Sequence, residues 1–364
     1  MSAGQIKVLI MAGGTGGHVY PALAVARALI EGGHAVVWMG TRAGLEARVV
    51  PAAGIEIEWL AISGLRGKGL LALLLAPLRL LRALAQSLAV LRRTQPAVVL
   101  GMGGFVSGPG GLAAWLTGRP LVIHEQNGVA GTTNRILSHL ATRVLEAFPG
   151  SFASRRASAT VGNPVRSEIL ALATQPPRAA RSGPLHLLVL GGSQGAHALN
   201  VAVPDAVAPL VALGRMEVRH QTGEHKVEAT EAAYADIGLR EDPRAARTPY
   251  IEDMAEAYAW ADVVVCRAGA LTVSELAAAG LGAVLIPLPT AIDDHQMANA
   301  RHMVAGDAAL LLPEAELLTG GLGPLLISLE RDRELCVGMG AAARRLARPD
   351  ATRVVADSCL EVAA

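Results

Sequence analysis

Aromatic residues are scarce: four Trp, four Tyr and three Phe amount to 3% of a 364-residue chain. Proteins that grip single-stranded nucleic acid stack bases on such rings, so this class is excluded. Charge of either sign is not in excess either, with 32 Lys and Arg against 31 Asp and Glu. No basic footprint for bulk nucleic-acid binding follows from that balance. Cysteine occurs three times, at Cys266, Cys336 and Cys359, with neither the density of a disulfide framework nor the spacing of a metal site. A reducing cytoplasm is expected. Met1 to Gln5 runs into a strand pattern without the basic start, apolar stretch and cleavage site of a leader. The longest apolar segment, Leu70 to Leu78, is broken by Pro77 and followed by Arg79 and Arg82. It falls well short of the ~20 residues that cross a bilayer.

What is abundant is apolar material, 52% of residues, in a chain long enough for two domains of ordinary size. Short apolar runs alternate with longer amphipathic ones: Ile6–Ala12, Tyr20–Glu31, Ala35–Gly40, Leu70–Arg93, Ala97–Gly101, Gly111–Leu116, Leu121–His124 and Thr133–Ala141. Buried parallel strands read as such runs, and the segments between them as covering helices. A doubly wound α/β fold is predicted. The rhythm pauses at Gly162-Asn163-Pro164 and over Thr174 to Pro184, then resumes at Leu185 with runs at Met216–His220, Arg247–Tyr250, Ala261–Cys266, Ala283–Pro287 and Ala308–Leu312. A boundary is therefore expected between Asn163 and Pro184, and a final helical segment from roughly Leu335 to Val362.

One device appears twice. The strand Ile6–Met11 enters the turn Gly13-Gly14-Thr15-Gly16-Gly17-His18, and Leu185–Leu190 enters Gly191-Gly192-Ser193-Gln194-Gly195-Ala196-His197. Glycines let backbone N–H groups approach a ligand, and a helix start presents partial positive charge. Each turn is expected to hold something anionic, and the two domains to be built alike. A dinucleotide fingerprint fails, because Val19 stands at the third glycine position and the second strand ends in Gly40-Thr41 without an acid. Gly64-Leu65-Arg66-Gly67-Lys68-Gly69 lacks the spacing and the hydroxyl of a Walker loop. Gly191-Gly192-Ser193-Gln194-Gly195 matches a nucleophile elbow, with His220, His225, His295 and His302 downstream, so a hydrolase is the rival class.

A third strand and turn lead into Ala270-Leu271-Thr272-Val273-Ser274-Glu275. Two readings of Glu275 stand: it closes a capping box with Thr272, or it accepts hydrogen bonds from a ribose diol. Asp293-Asp294-His295 has ligand chemistry for a cation but no second cluster to complete it, so no metal and no cofactor are expected.

With these segments in view, the chain resembles the MurG glycosyltransferases over nearly its whole length. The resemblance is carried by Gly13–His18 with Pro21, Ile62-Ser63-Gly64-Leu65-Arg66-Gly67-Lys68, Gly101–Gly111, His124-Glu125-Gln126-Asn127, Gly162-Asn163-Pro164-Val165-Arg166, Gly191–Ala196 and Cys266–Glu275. It implies a GT-B fold, two Rossmann-like parallel-sheet domains facing a cleft. It implies transfer of N-acetylglucosamine from UDP-N-acetylglucosamine to the lipid-linked muramyl-pentapeptide called lipid I, giving lipid II in peptidoglycan synthesis. By the same resemblance residues 1–163 form an acceptor-side, membrane-associating domain, 164–340 a UDP-sugar domain, and 341–364 a terminal helix packing back on the first. The main chain at Ile251 would read uracil, Glu275 would hold the ribose, and Ser193 with the turn from Ala270 would lie near the diphosphate. Leu271, Thr272, Val273 and Ser274 belong to that turn. Arg166, Asn127 and Gln296 would complete the donor site, and Thr15, Gly16 and Gly17 would meet the donor from the other domain. Phe105 stands where tyrosine is common and His295 where glutamine is familiar, which leaves sugar recognition to Gln296.

Inverting transfer needs a base for the acceptor hydroxyl and stabilisation of departing UDP. His18, at a helix start that disfavours a second positive charge, is the candidate base. The alternative is that it binds diphosphate or caps the helix, with Glu125 and His124 as alternate bases. Helix N-termini and Arg267 would meet the leaving diphosphate in place of a metal. No Asp or Glu lies between Glu58 and Glu125, while Arg66, Lys68, Arg79, Arg82, Arg92, Arg93 and Arg119 do. With the leucines of 70–78 this reads as a surface for the anionic cytoplasmic leaflet, or as an internal helix with a solvated basic face. Expected partners are the two substrates, the membrane surface and other cell-wall synthesis proteins.

Overall fold

A computed structural model describes residues 4–62, 76–152, 157–176, 178–192, 195–291 and 294–364. Ser193, Asp293 and the segment with Arg66, Lys68 and the leucines before Ala76 lie outside the described residues. The chain forms two units, residues 1–166 with 348–364, and residues 167–347.

In the first unit, β1 (Lys7–Met11), β2 (Ala35–Gly40), β3 (Glu56–Trp59), β4 (Val98–Gly101), β5 (Leu121–Glu125), β6 (Arg143–Glu146) and β7 (Ala159–Thr160) form one sheet. Its order is β3-β2-β1-β4-β5-β6-β7, and every pairing is parallel. In the second unit, β8 (Leu185–Leu190), β9 (Met216–Gln221), β10 (Ala245–Thr248), β11 (Val263–Cys266), β12 (Gly282–Leu285) and β13 (Ala309–Leu311) pair in the order β10-β9-β8-β11-β12-β13. The two sheets repeat one winding, outward from β1 through β2 and β3, then back across to β4. That matches the doubly wound expectation and the likeness of the two glycine turns. In each sheet the order reverses between the first and fourth strands, which is where such folds place ligands, beyond the carboxyl ends of the strands.

Because side chains alternate across a strand, β1 serves two cores. Val8 and Ile10 pack with Val19, Leu23 and Val355, whereas Leu9 and Met11 pack with Val90, Ala113 and Ile123. The terminal segment contains two helices, Arg333–Leu346 and Ala351–Ala363, because Pro349 removes a donor and clashes with a continuing helix. Only the second joins the first unit, through Val355, Ala356 and Cys359. All three thiols are buried, which pushes their pKa values up to about 12, 11 and 12 for Cys266, Cys336 and Cys359.

The helix expected from Gly111 starts earlier, at Ser107. Its glycines are there for contact: a Cβ at Gly111 would sit 2.7 Å from the Leu137 side chain, and one at Gly110 would overlap the Met11 sulfur. Close packing of this helix on the sheet overrides the low helix propensity of glycine.

Candidate active site

At the first reversal point, β1 ends and the chain turns through Gly13 and Gly14 into the helix Gly16–Glu31. Thr15 is the N-cap residue, in extended conformation, and the His18 N–H donates to its carbonyl at 3.1 Å. Gly16 and Gly17 open the helix, and His18 is half-buried one residue later. The turn after β4 closes over this one. Gly103, at φ +97°, leaves room for the imidazole, since a Cβ there would lie 2.6 Å from His18 Cδ2. Gly104, at φ +85°, stacks against the Gly13 carbonyl in the same way. The turn is also held from below. Glu46 is fully buried and accepts hydrogen bonds from the Gly14 N–H at 2.9 Å, the Thr41 N–H at 2.9 Å and the Thr41 hydroxyl at 2.7 Å. The expectation that this turn simply offers its N–H groups to an anion needs amending, because the Gly14 N–H already serves a carboxylate. Glu46 was not legible as a site residue. The one signal was an acid between Gly40, Gly44 and the following helix.

Glu125, the alternate base, is buried at the end of β5 and takes four N–H donors. Oε1 accepts from the Asn127 N–H at 3.0 Å and Asn127 Nδ2 at 3.2 Å, while Oε2 accepts from the Gly131 N–H at 3.1 Å and Asn134 Nδ2 at 2.9 Å. A carboxylate so engaged organises the loop that follows it, with two donors already on each oxygen. Asn127 donates its amide to that same carboxylate. His124 is equally closed off. Its Nε2 lies 2.9 Å from the Gly162 carbonyl, which can only accept, so that nitrogen carries the proton and Nδ1 accepts from Gln126 Nε2 at 3.1 Å. Burial lowers its pKa and keeps it neutral. Arg166, at the end of the first unit's main segment, places its guanidinium 5.9 Å from the Tyr20 ring centre.

In the second unit the turn after β8 carries Gly192 and Gly195 at φ +73° and +66°. Lys226 Nζ donates to the Gly195 carbonyl at 3.0 Å. Of the histidines that favoured a hydrolase, His220 is fully buried between Asn200 Oδ1 at 3.1 Å and the Tyr234 hydroxyl at 3.2 Å. Burial brings its pKa down to about 3. A neutral, enclosed imidazole whose two nitrogens both have structural partners is no general base for Ser193.

The turn after β11 starts the helix Ala270–Ala279 with Gly269 as N-cap. Thr272 therefore lies in the first turn, and the capping-box reading of Thr272 with Glu275 is corrected. Ala270 and Val273 are buried, Leu271, Thr272 and Ser274 are half-buried, and Ser274 Oγ donates to the Ala270 carbonyl at 2.9 Å. The opening N–H groups of a helix have no intrahelical partner and suit an anion. Glu275 is buried, and its Oε2 accepts from the Tyr258 hydroxyl at 3.0 Å. Ile251 follows β10 at the same end of the sheet, half-buried. Gln296 accepts the Leu288 N–H at 2.9 Å through Oε1, which fixes the orientation of its amide. Arg267 departs from expectation: it donates to the Ile286 carbonyl at 3.2 Å and pairs with Glu314. A neighbouring carboxylate thus already matches its charge. Among the described residues no group of three or more His, Cys, Asp and Glu is placed to hold a metal.

Comparison with known proteins agrees with this geometry. Residues 8–146 match the glycosyltransferase family 28 N-terminal domain, and residues 186–352 match its C-terminal domain. The UDP-N-acetylglucosamine--N-acetylmuramyl-(pentapeptide) pyrophosphoryl-undecaprenol N-acetylglucosamine transferase of Nitrosococcus oceani is 58% identical, over 98% of this chain and 99% of that protein. The protein of the same name from Halorhodospira halophila is 57% identical, over 98% of each. Acinetobacter baumannii MurG superposes with a TM-score of 0.80 at 40% identity, covering 98% of this chain and 99% of that one. A UDP-GlcNAc 2-epimerase from Neisseria meningitidis, at 14% identity and a TM-score of 0.66, shares the fold alone. Two reversal points with matching glycine turns, a GT-B architecture and full-length kinship lead to one assignment: the chain belongs to glycosyltransferase family 28, among the MurG transferases.

Proposed function

We propose that this protein transfers N-acetylglucosamine from UDP-N-acetylglucosamine to the 4-hydroxyl of N-acetylmuramyl-pentapeptide on undecaprenyl diphosphate, with inversion and without a metal. The observation that carries the reading is the 58% identity over essentially full length to a transferase named for those substrates. His18 takes the proton from the acceptor hydroxyl as its oxygen bonds to the anomeric carbon, and the bond to UDP breaks with the electron pair leaving on the diphosphate. What supports His18 is elimination within its own unit, since His124 and Glu125 are locked in structural bonds. The second unit binds the donor. Glu275 takes the ribose diol, the main chain at Ile251 the uracil, and the helix start at Ala270 the diphosphate charge together with Ser193. Gln296 donates to a sugar hydroxyl. Asn127, Arg166, Thr15, Gly16 and Gly17 border the reacting sugar.

The membrane is the proposed working surface. Leu78, Leu81, Trp115 and Leu116 are 65%, 62%, 51% and 52% exposed on two helices, with Arg79 and Arg82 among them. No helix among the described residues is long and apolar enough to cross a membrane. An apolar patch with a basic margin fits peripheral docking on the anionic cytoplasmic leaflet, each basic residue adding about 1 kcal/mol.

A radiolabelled assay from UDP-N-acetylglucosamine to a soluble lipid I analogue tests the function. Disaccharide product is expected, with UDP-glucose and UDP-N-acetylgalactosamine turned over poorly and full activity in EDTA. Conversion of donor alone would point to an epimerase instead. Chelator-sensitive turnover restored by Mg²⁺ would end the metal-free reading, and flotation with anionic liposomes unchanged by R79E/R82E would end the membrane one.

A further inference from the structure

We propose that Glu46 is a positioning residue for the transfer reaction, holding the first glycine turn, and with it His18, in working geometry. The inference rests on the proposed function and on three observations.

The first is the room made for this carboxylate. An added Cβ at Gly13 would lie 2.7 Å from Glu46 Oε1, and one at Gly40 would lie 2.8 Å from Glu46 Cγ. One at Gly44 would overlap Oε2. Glycines from three separate points of the chain thus clear one buried site. The second is its charge. Glu46 is 0% exposed, and among the described residues no ion pair includes it. A carboxylate taken out of water is expensive unless its lone pairs are filled. Here they are filled by the Gly14 N–H, the Thr41 N–H and the Thr41 hydroxyl. A leucine at this position would avoid the desolvation cost, but it would leave the Gly14 N–H unpaired and the turn untethered. The third is connection. Gly14 is bonded to Glu46, Gly104 leaves no room for a Cβ beside the Gly13 carbonyl, and Gly103 leaves none beside the His18 ring. Moving the carboxylate therefore moves the backbone that sets the imidazole.

Glu46→Gln tests this with shape preserved. The amide supplies one acceptor and one donor group, so either Gly14 or Thr41 faces a donor with its own donor. Misplacement of a catalytic group on the order of 1 Å costs up to about a hundredfold in rate, so kcat is expected to fall about ten- to a hundredfold. UDP affinity, which the proposed function assigns to the second unit, should stay unchanged. A residue that only stabilises the fold would change the melting temperature and leave the kcat of the folded fraction alone. Thr41→Val, which removes one hydroxyl, provides a milder variant and should lower kcat severalfold, with Thr41→Ser restoring it. Wild-type kcat in folded E46Q and in T41V overturns the proposal, as does a kcat loss matched by equal loss of UDP binding. The wild-type protein in the same assay separates the two ideas: if it transfers nothing, the function fails, and if it transfers while E46Q does so equally, only the role of Glu46 fails.

Discussion

Replacing Gly103 by alanine probes the candidate base without touching it. The residue sits at φ +97°, and its new Cβ would begin 2.6 Å from His18 Cδ2. Two costs follow. An L-residue held in the left-handed region loses about 1–2 kcal/mol, which for a unit of this size lowers the melting temperature by roughly 2–8 °C. The imidazole must also retreat until the contact reaches about 3.4 Å, a displacement approaching the scale at which positioning losses reach about a hundredfold. Steady-state kinetics on a soluble lipid I analogue should therefore show kcat down by about two orders of magnitude, with UDP affinity intact by calorimetry. His18→Ala sets the floor, since a general base contributes about 10²–10⁴ in rate. If folded G103A keeps kcat within twofold of wild type, the ring's position does not matter and His18 is not the base.

Glu125→Ala removes the acceptor of four donors, of which the Asn134 amide is buried and the other three partly so, and a buried donor left unpaired costs about 1–3 kcal/mol. The melting temperature should drop sharply, with lost activity tracking lost fold; an inactive variant of unchanged stability would make Glu125 catalytic after all. Arg267→Ala should reduce stability yet leave UDP affinity within about threefold, less than 1 kcal/mol, because Glu314 already balances its charge. A hundredfold loss of UDP binding would return Arg267 to the diphosphate. Stability should fall on acidification, because His220 has a pKa of about 3 in the fold against 6.5 as its ordinary value. Between those values the unfolded chain binds the extra proton, so going from pH 7 to pH 5 costs the second unit about 2 kcal/mol. Urea titrations of wild type and His220→Phe at both pH values check this, and an equal pH dependence in the two would refute it.

The central strands were legible because parallel strands buried on both faces read as unbroken apolar runs, as in Val8–Met11 and Val263–Cys266. The edge strands of the first sheet escaped that signal. The Glu-Ile-Glu-Trp of β3 has one neighbour and alternates with charge, and β7 has only two residues. The start of the helix Ala270–Ala279 was misplaced because Gly269 takes the extended cap conformation, φ −64° and ψ 140°, ahead of the better capping residue Thr272. Resemblance, not periodicity, supplied Ile251, Gln296 and Arg166, since half-buried positions in loops and at helix starts carry no pattern of their own. Glu46 was invisible for a different reason. Its Gly14 partner is a backbone N–H 32 residues upstream, and no side-chain motif encodes a bond to main chain at that distance.

The two glycine turns share strand, winding and place in the sheet, so their difference must come from what lies behind them. Behind the first is a buried carboxylate bonded to Gly14, and behind the second an ammonium group bonded to the Gly195 carbonyl. Opposite charges bonded to the two turns, one at an N–H and the other at a carbonyl, bias them oppositely. The Lys226 side adds positive potential to the loop proposed to face the donor diphosphate, whereas the Glu46 side withdraws a donor and adds negative potential to the turn that leads to His18, the proposed base. A base benefits from that sign, because its conjugate acid is cationic. Exchanging the charges should therefore harm both turns, but differently: Lys226→Glu should weaken UDP binding with the first unit unaffected, and Glu46→Gln should slow transfer with UDP binding unaffected. If instead both variants changed the same parameter, the division of roles between turns of identical topology would be wrong.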